Sequence, residues 1–204
     1  MAQPLPEQSW PTFPSPLAVD PRLLTVSEYL ELGETEHGYS ELVEGRVVMS
    51  PSPLMDHNHV AVELLRRIAP HVAPDQEVLL DVDIDLELVP GDRPGFSRRP
   101  DLIVVSREAR LRQRDEGGIA RASEVALVVE ILSPASVRTD HVAKRSDYAD
   151  AGIPHYWILD LSGPVTLLAY HLAGEFGYAD GGVVTGRVPI AEPFAAEIDL
   201  DALL

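Results

Sequence analysis

The chain has 204 residues, 45% of them hydrophobic and 24% charged, which suits one soluble domain with a proper core, with or without a tail. It has no cysteine, which excludes disulfides, thiolate metal sites and a cysteine nucleophile. Its net charge of −17 argues against a general nucleic-acid binder, because phosphate affinity comes from clustered Lys and Arg.

Residues 1–21 are proline-rich with few periodic apolar positions and read as a flexible leader to a single domain over 22–204. Thr25 and Glu28 form a capping box that opens a short helix to about Leu32, closed by Gly33. Tyr39 to Val43 and Arg46 to Ser50 flank Glu44-Gly45, a two-residue hairpin turn. Asp56 is placed to cap a helix over roughly 57–70, with Val60, Leu64, Leu65 and Ile68 as its apolar stripe. Glu77 to Val89 alternates and predicts one long strand, with Asp81, Asp83, Asp85 and Glu87 on a solvated face. Leu102 to Val105 predicts a buried strand, and 107–122 an arginine-rich connection with a flexible point at Gly117-Gly118.

Ala126 to Leu132 is a continuous apolar run of strand length, stopped by Ser133-Pro134, and reads as a strand buried on both faces. Residues 138–151 predict a helix, ended by Gly152 and Pro154. His155 to Asp160 and Val165 to Tyr170 read as strands joined by Ser162-Gly163-Pro164, with further strands near 176–179 and 183–188. The tail from Ile198 is a last strand or turn. The order predicts an α/β (α+β) domain around a mixed central sheet. No apolar run approaches membrane-spanning length and no signal pattern opens the chain, so a cytoplasmic protein without a membrane partner is expected.

Basic residues are uneven: residues 93–121 hold eight Arg against four acids, whereas 1–92 hold four Arg against 17 acids. The arginine-rich segment is either a solvated loop, the preferred reading, or a local phosphate-facing patch. Lys144 is the only lysine among 16 basic residues.

Glu130 lies inside the buried run, where an unpaired carboxylate is very costly, so it needs a cation, a metal or a proton. Asp101 stands at the mouth of the neighbouring apolar strand, and if the two strands pair, both carboxylates converge. Convergent carboxylates repel unless a cation intervenes. Mg²⁺ fits, being a hard ion that takes one or two carboxylates and keeps waters, and a carbonyl such as that of Ile131 would add an oxygen. Asp140, Lys144 and Tyr148 share a helix face at i, i+4 and i+8. The plain reading is a helical Asp–Lys pair; the sharper one places the lone lysine in a catalytic site.

The ordered series Tyr39-Ser40-Glu41-Leu42-Val43-Glu44-Gly45, His57-Asn58, Arg99-Pro100-Asp101-Leu102-Ile103-Val104-Val105, Val128-Val129-Glu130-Ile131-Leu132-Ser133-Pro134, Asp140…Lys144…Tyr148 and Gly152-Ile153-Pro154-His155-Tyr156-Trp157 resembles the Uma-two family of restriction-endonuclease-like proteins, from about residue 25 to the end. The resemblance implies a PD-(D/E)XK nuclease fold, a mixed sheet flanked by helices. It implies Asp101 and Glu130 as acids holding Mg²⁺ or Mn²⁺, and Lys144 as a lysine supplied from a helix, since the wider superfamily's lysine position is Leu132 here. Glu41 would be a further acid, either at the metal or orienting Lys144. Tyr148, Asp140 and His57 would stand behind these residues. The implied activity is endonucleolytic hydrolysis of nucleic acid, DNA first, with a homodimer suited to double-strand cleavage. The rival expectation is a nuclease fold retained for binding or assembly. His57-Asn58-His59 as a zinc site is less economical, because two further ligands would be needed.

Overall fold

The computed structural model describes residues 22–33, 38–50, 52–134 and 136–204. The proline-rich leader lies outside them. Helix α1 (Val26–Glu31) begins where the capping box predicts: the Glu28 N–H donates to Thr25 Oγ1 at 3.2 Å and the Thr25 N–H to Glu28 at 2.9 Å. Strands β1 (Ser40–Val43) and β2 (Arg46–Met49) pair antiparallel. Glu44 and Gly45 between them have φ of 52° and 74°, the doubly positive turn that matches strand twist. Helix α2 (Met55–Ile68) starts two residues earlier than expected, with Leu54 as its cap. Asp56 therefore does not cap; it sits in the first turn, where its charge meets the positive end of the helix dipole.

The expected strand 77–89 is two strands in two sheets. β3 (Gln76–Leu80) ends at Asp81, whose φ of 52° turns the chain out of the first sheet, and β4 (Ile84–Asp85) pairs in the second. The alternation survives the break, since Ile84 and Leu86 are fully buried. The acidic face is not simply solvated: Asp83 is partly buried and stands 3.4 Å from Arg99.

β5 (Ser97–Arg98) leads through Pro100 to β6 (Leu102–Ser106). The arginine-rich connection is largely a helix, α3 (Arg107–Glu116), capped by Ser106 Oγ accepting from the Ala109 N–H and closed by Gly117 at φ 80°. After β7 (Ala120–Arg121), β8 (Val125–Ile131) is the run that holds Glu130. A π-helical turn (Thr139–Lys144) runs into α4 (Arg145–Asp150). β9 (His155–Asp160), β10 (Thr166–Leu172), β11 (Tyr178–Thr185), β12 (Arg187–Ile190) and β13 (Ala196–Asp199) complete the chain.

The main sheet has six strands in the order β11-β10-β9-β8-β6-β3, antiparallel except for the parallel pair β8–β9. A second sheet runs β2-β1-β5-β4-β7, and β12–β13 form a hairpin. Both faces of the main sheet are covered. Val60, Leu64 and Ile68 of α2 pack on Leu102, Val104, Leu127, Val129 and Ile131. Ile103, Val105 and Val128 face the other way, toward Ile84, Leu86, Ala109 of α3 and Tyr148 of α4. Each fully buried Leu, Ile or Val contributes about 1.5–3 kcal/mol relative to exposure. Strand parity puts Glu130 on the second face, pointing at α4. Tyr156 and Trp157 are core residues, 0% and 1% exposed, and not an edge that meets a second copy.

Candidate active site

The β6–β8 register pairs Leu102 with Val129, and one step further sets Asp101 opposite Glu130. Strand pairing therefore sets the two acidic residues at opposed positions of neighbouring strands. Asp101 Oδ2 accepts the Ile131 N–H at 2.6 Å, which locks the Asp101 carboxylate against the end of β8. Its Oδ1 lies 2.8 Å from His57 Nε2, brought in by the first turn of α2. His57 is thereby placed at the site. Burial disfavours its charge, but Asp101 outweighs burial and raises its pKa.

Glu130 is 3% exposed. Its Oε1 accepts Lys144 Nζ at 2.9 Å and Tyr148 OH at 2.7 Å. Lys144 ends the π-helical turn and Tyr148 follows in α4, so the two donors four residues apart reach one oxygen. Lys144 Nζ also stands 3.2 Å from Glu41 Oε1 and 3.6 Å from Asp140 Oδ1. The third member of the expected helix face, Asp140, is 1% exposed, and its carboxylate has Lys144 and the Ser136 side chain as neighbours. Its backbone carbonyl accepts Tyr156 OH at 3.0 Å, which ties the π-helical turn to β9.

Arg98 and Asp147 escaped the sequence reading. Arg98, on β5, donates from Nη1 to Glu41 Oε2 at 2.8 Å and from Nε to Asp147 Oδ2 at 2.9 Å. The Arg99 N–H adds a bond to Glu41 Oε1 at 3.1 Å. Arg98 was one arginine in a crowded segment, with no local signal to set it apart. Leu132, where the wider superfamily has its lysine, is a buried core residue on the same face as Tyr148.

Burial pushes the Glu130 carboxyl well above the usual range; Lys144 pulls it back, while Asp101, Asp140 and Glu41 push it further up. Burial also raises Asp140. Glu41 ends lowered, because Lys144 and Arg98 outweigh its burial. Lys144 is raised: Glu130, Glu41 and Asp140 outweigh the burial that disfavours its ammonium. Three carboxylates (Glu41, Glu130 and Asp140) thus share Lys144, Arg98 is shared by Glu41 and Asp147, and Asp101 has His57 as its partner.

This negative excess is a setting for an added cation. Every candidate ligand is a hard oxygen, and the opposed pair Asp101 and Glu130 suits an ion that keeps most of its waters. Among the described residues no three His, Asp or Glu are grouped so as to hold a metal ion, so a cation on the opposed pair Asp101 and Glu130 would take most of its ligands from water. A groove of about 640 Å³, lined by Tyr39, Asp81, Asp83 and Arg99 among others, opens beside this region. Asp81 joins it to the site by donating its N–H to the Asp101 carbonyl at 3.3 Å.

A family model described as "Putative restriction endonuclease" matches residues 26–202. A solved structure described as "a putative nuclease belonging to DUF820 from Anabaena variabilis" shares the fold, with a TM-score of 0.66 and 24% identity over 88% of this chain and 97% of that one. No curated protein matches at a significant level. The fold is the mixed, helix-flanked sheet that the sequence predicts, and the chain belongs to the Uma2 family.

Proposed function

We propose that this protein is a metal-dependent endonuclease that hydrolyses phosphodiester bonds in nucleic acid, DNA first. The observation that carries the reading is the contact of Lys144 Nζ with Glu130 Oε1 at 2.9 Å, beside an Asp101 set opposite Glu130 by strand register. A lysine resting on one of two opposed carboxylates is a donor set suited to phosphodiester cleavage.

Asp101 and Glu130 would hold Mg²⁺ or Mn²⁺, with the Ile131 carbonyl as a further oxygen. When bound, the cation supplies a Lewis acid for a phosphate oxygen and lowers the pKa of a coordinated water. Lys144 orients the attacking water and stabilises negative charge developing on the phosphate. Tyr148 fixes the rotamer of Glu130, and His57 and the Ile131 N–H fix that of Asp101. Glu41 orients Lys144, and Asp140 balances its charge from the far side. The groove beside Arg99 gives substrate an approach.

A homodimer belongs to the same proposal. β2 is an edge strand whose four residues are all exposed, among them Val47, Val48 and Met49. Antiparallel pairing of two such edges would unite two sites, and light scattering with Val48→Lys tests it.

One observation favours a second reading, a silent nuclease fold used for binding or assembly. The arginine-rich segment is neutralised locally: Arg107 and Arg110 pair with Glu77, Arg112 with Glu124 and Arg114 with Asp115. Supercoiled plasmid with Mg²⁺ or Mn²⁺ separates the two. The nuclease reading expects nicking that Asp101→Ala and Lys144→Ala each abolish. Nicking that survives both changes overturns the site assignment, and no nicking with either metal favours the silent module.

A further inference from the structure

We propose that Arg98 is a positioning residue that holds Glu41 ready as a second seat for Lys144 when a divalent cation takes up Glu130. The inference rests on the metal-dependent reading given above.

Arg98 is 3% exposed, on a strand only two residues long. Its guanidinium binds Glu41 from β1 and Asp147 from α4, so it spans the second sheet and the helix that follows Lys144. A buried ion pair of this kind is weak evidence for stability, since apolar replacements often serve the core as well or better. Geometry is the better account. Glu41 is held at both oxygens, Oε2 by Arg98 and Oε1 by the Arg99 N–H at 3.1 Å, and Oε1 faces Lys144 Nζ at 3.2 Å. Asp147 lies three residues beyond Lys144, so the same guanidinium sets the distance between Glu41 and the lysine's helix. Lysine in place of Arg98 would be a single point charge without the planar fork that meets two carboxylates at once.

Lys144 has three carboxylates in reach, with Nζ 2.9 Å from Glu130, 3.2 Å from Glu41 and 3.6 Å from Asp140. A divalent cation between Asp101 and Glu130 repels an ammonium resting on Glu130. Glu41 and Asp140 already lie against that ammonium, so a shift smaller than a bond length or two moves it onto them. Glu130 is then released to the cation while Lys144 stays beside the reacting phosphate. Without Arg98, Glu41 would be a buried carboxylate free to rotate away, and the second seat would be lost.

Lys144 is the only lysine in the sequence, so the full chain labelled with ¹³C,¹⁵N-lysine gives one side-chain signal. MgCl₂ is titrated into wild type, Arg98→Gln and Glu41→Gln, none of which adds a lysine, with Mg²⁺ binding followed in parallel by calorimetry. In wild type, the expected result is a saturable shift of the lone signal with the ammonium protons still exchanging slowly. In both variants Mg²⁺ still binds, but ammonium exchange in the Mg²⁺ form speeds up about tenfold, the loss of one net hydrogen bond. Glu41→Gln, a neutral isostere, decides the matter should Arg98→Gln fail to fold. A wild-type signal that stays still while calorimetry registers Mg²⁺, or variants that match wild type, overturns the positioning role alone. No calorimetric Mg²⁺ binding by wild type overturns the metal reading itself and the handover with it.

Discussion

Glu130 makes its two hydrogen bonds through one oxygen, and the donors are unlike. Lys144 brings charge, whereas Tyr148 brings direction from a fully buried ring. Tyr148→Phe keeps the ring and removes the hydroxyl, leaving Glu130 one donor short. The expected cost is about 1–3 kcal/mol in a denaturant melt, with slower nicking because the Glu130 rotamer is no longer fixed. The pH dependence has a definite sign. A group raised in the folded state stabilises most below its unfolded value and loses that contribution as pH rises through its folded value. Metal-free wild type should therefore lose stability relative to Glu130→Gln as pH climbs above the ordinary carboxyl value of 4.5, and Mg²⁺ should narrow the gap. Urea midpoints across the neutral range measure this, and a gap independent of pH would count against it. Asp101, Glu130 and Lys144 were legible in the sequence because each broke a local rule: an acid in a buried run, an acid at a strand mouth, a lone lysine. Arg98 and Asp147 broke none, being one arginine in a crowd and one acid on a helix. Only tertiary packing makes them partners.

The second sheet and the amino-terminal segment are joined through two glycines. The Leu24 N–H donates to the Gly45 carbonyl, Gly45 to that of Gly95 and Gly95 to that of Leu24, each at 2.8–2.9 Å. A Cβ on Gly95 would lie 2.6 Å from Val26 Cγ2 and 2.9 Å from its backbone nitrogen. Gly95→Ala must therefore shift α1 or the loop that feeds β5, and we expect a loss of about 1–3 kcal/mol with a fall in nicking as Arg98 moves. On the other face of the main sheet, Leu64→Ala should cost about 2–5 kcal/mol through the cavity it leaves, with the site chemistry intact. Thermal melts beside the nicking assay distinguish the two variants. The sequence marked α1, the β1–β2 hairpin, β8 and β9 because caps, turn residues and apolar runs are local signals. It hid α3, whose arginines are good helix formers but leave only Ala109 buried and so no apolar stripe. It also joined β3 to β4, because alternation carries across Asp81 while the backbone turns from one sheet to the other.

At the scale of the molecule, a net charge of −17 meets a fold whose family is described by nuclease activity. The acidic excess is concentrated, in part, where it is useful: Glu41, Glu130 and Asp140 meet around one lysine, and Asp101 stands opposite Glu130, at the junction of two sheets and two helices. With most arginines of the central segment paired to acids, few remain to track a phosphate backbone, so binding should show a shallow salt dependence. Among the described residues no helix is long and apolar enough to cross a membrane. Everything functional in this account turns on a cation between two opposed carboxylates. A crystal soaked in Mn²⁺ and measured at the manganese edge tests that directly. One anomalous peak is expected about 2.1 Å from an oxygen of both Asp101 and Glu130, absent from Asp101→Asn. A peak elsewhere, or none at saturating Mn²⁺, would contradict it.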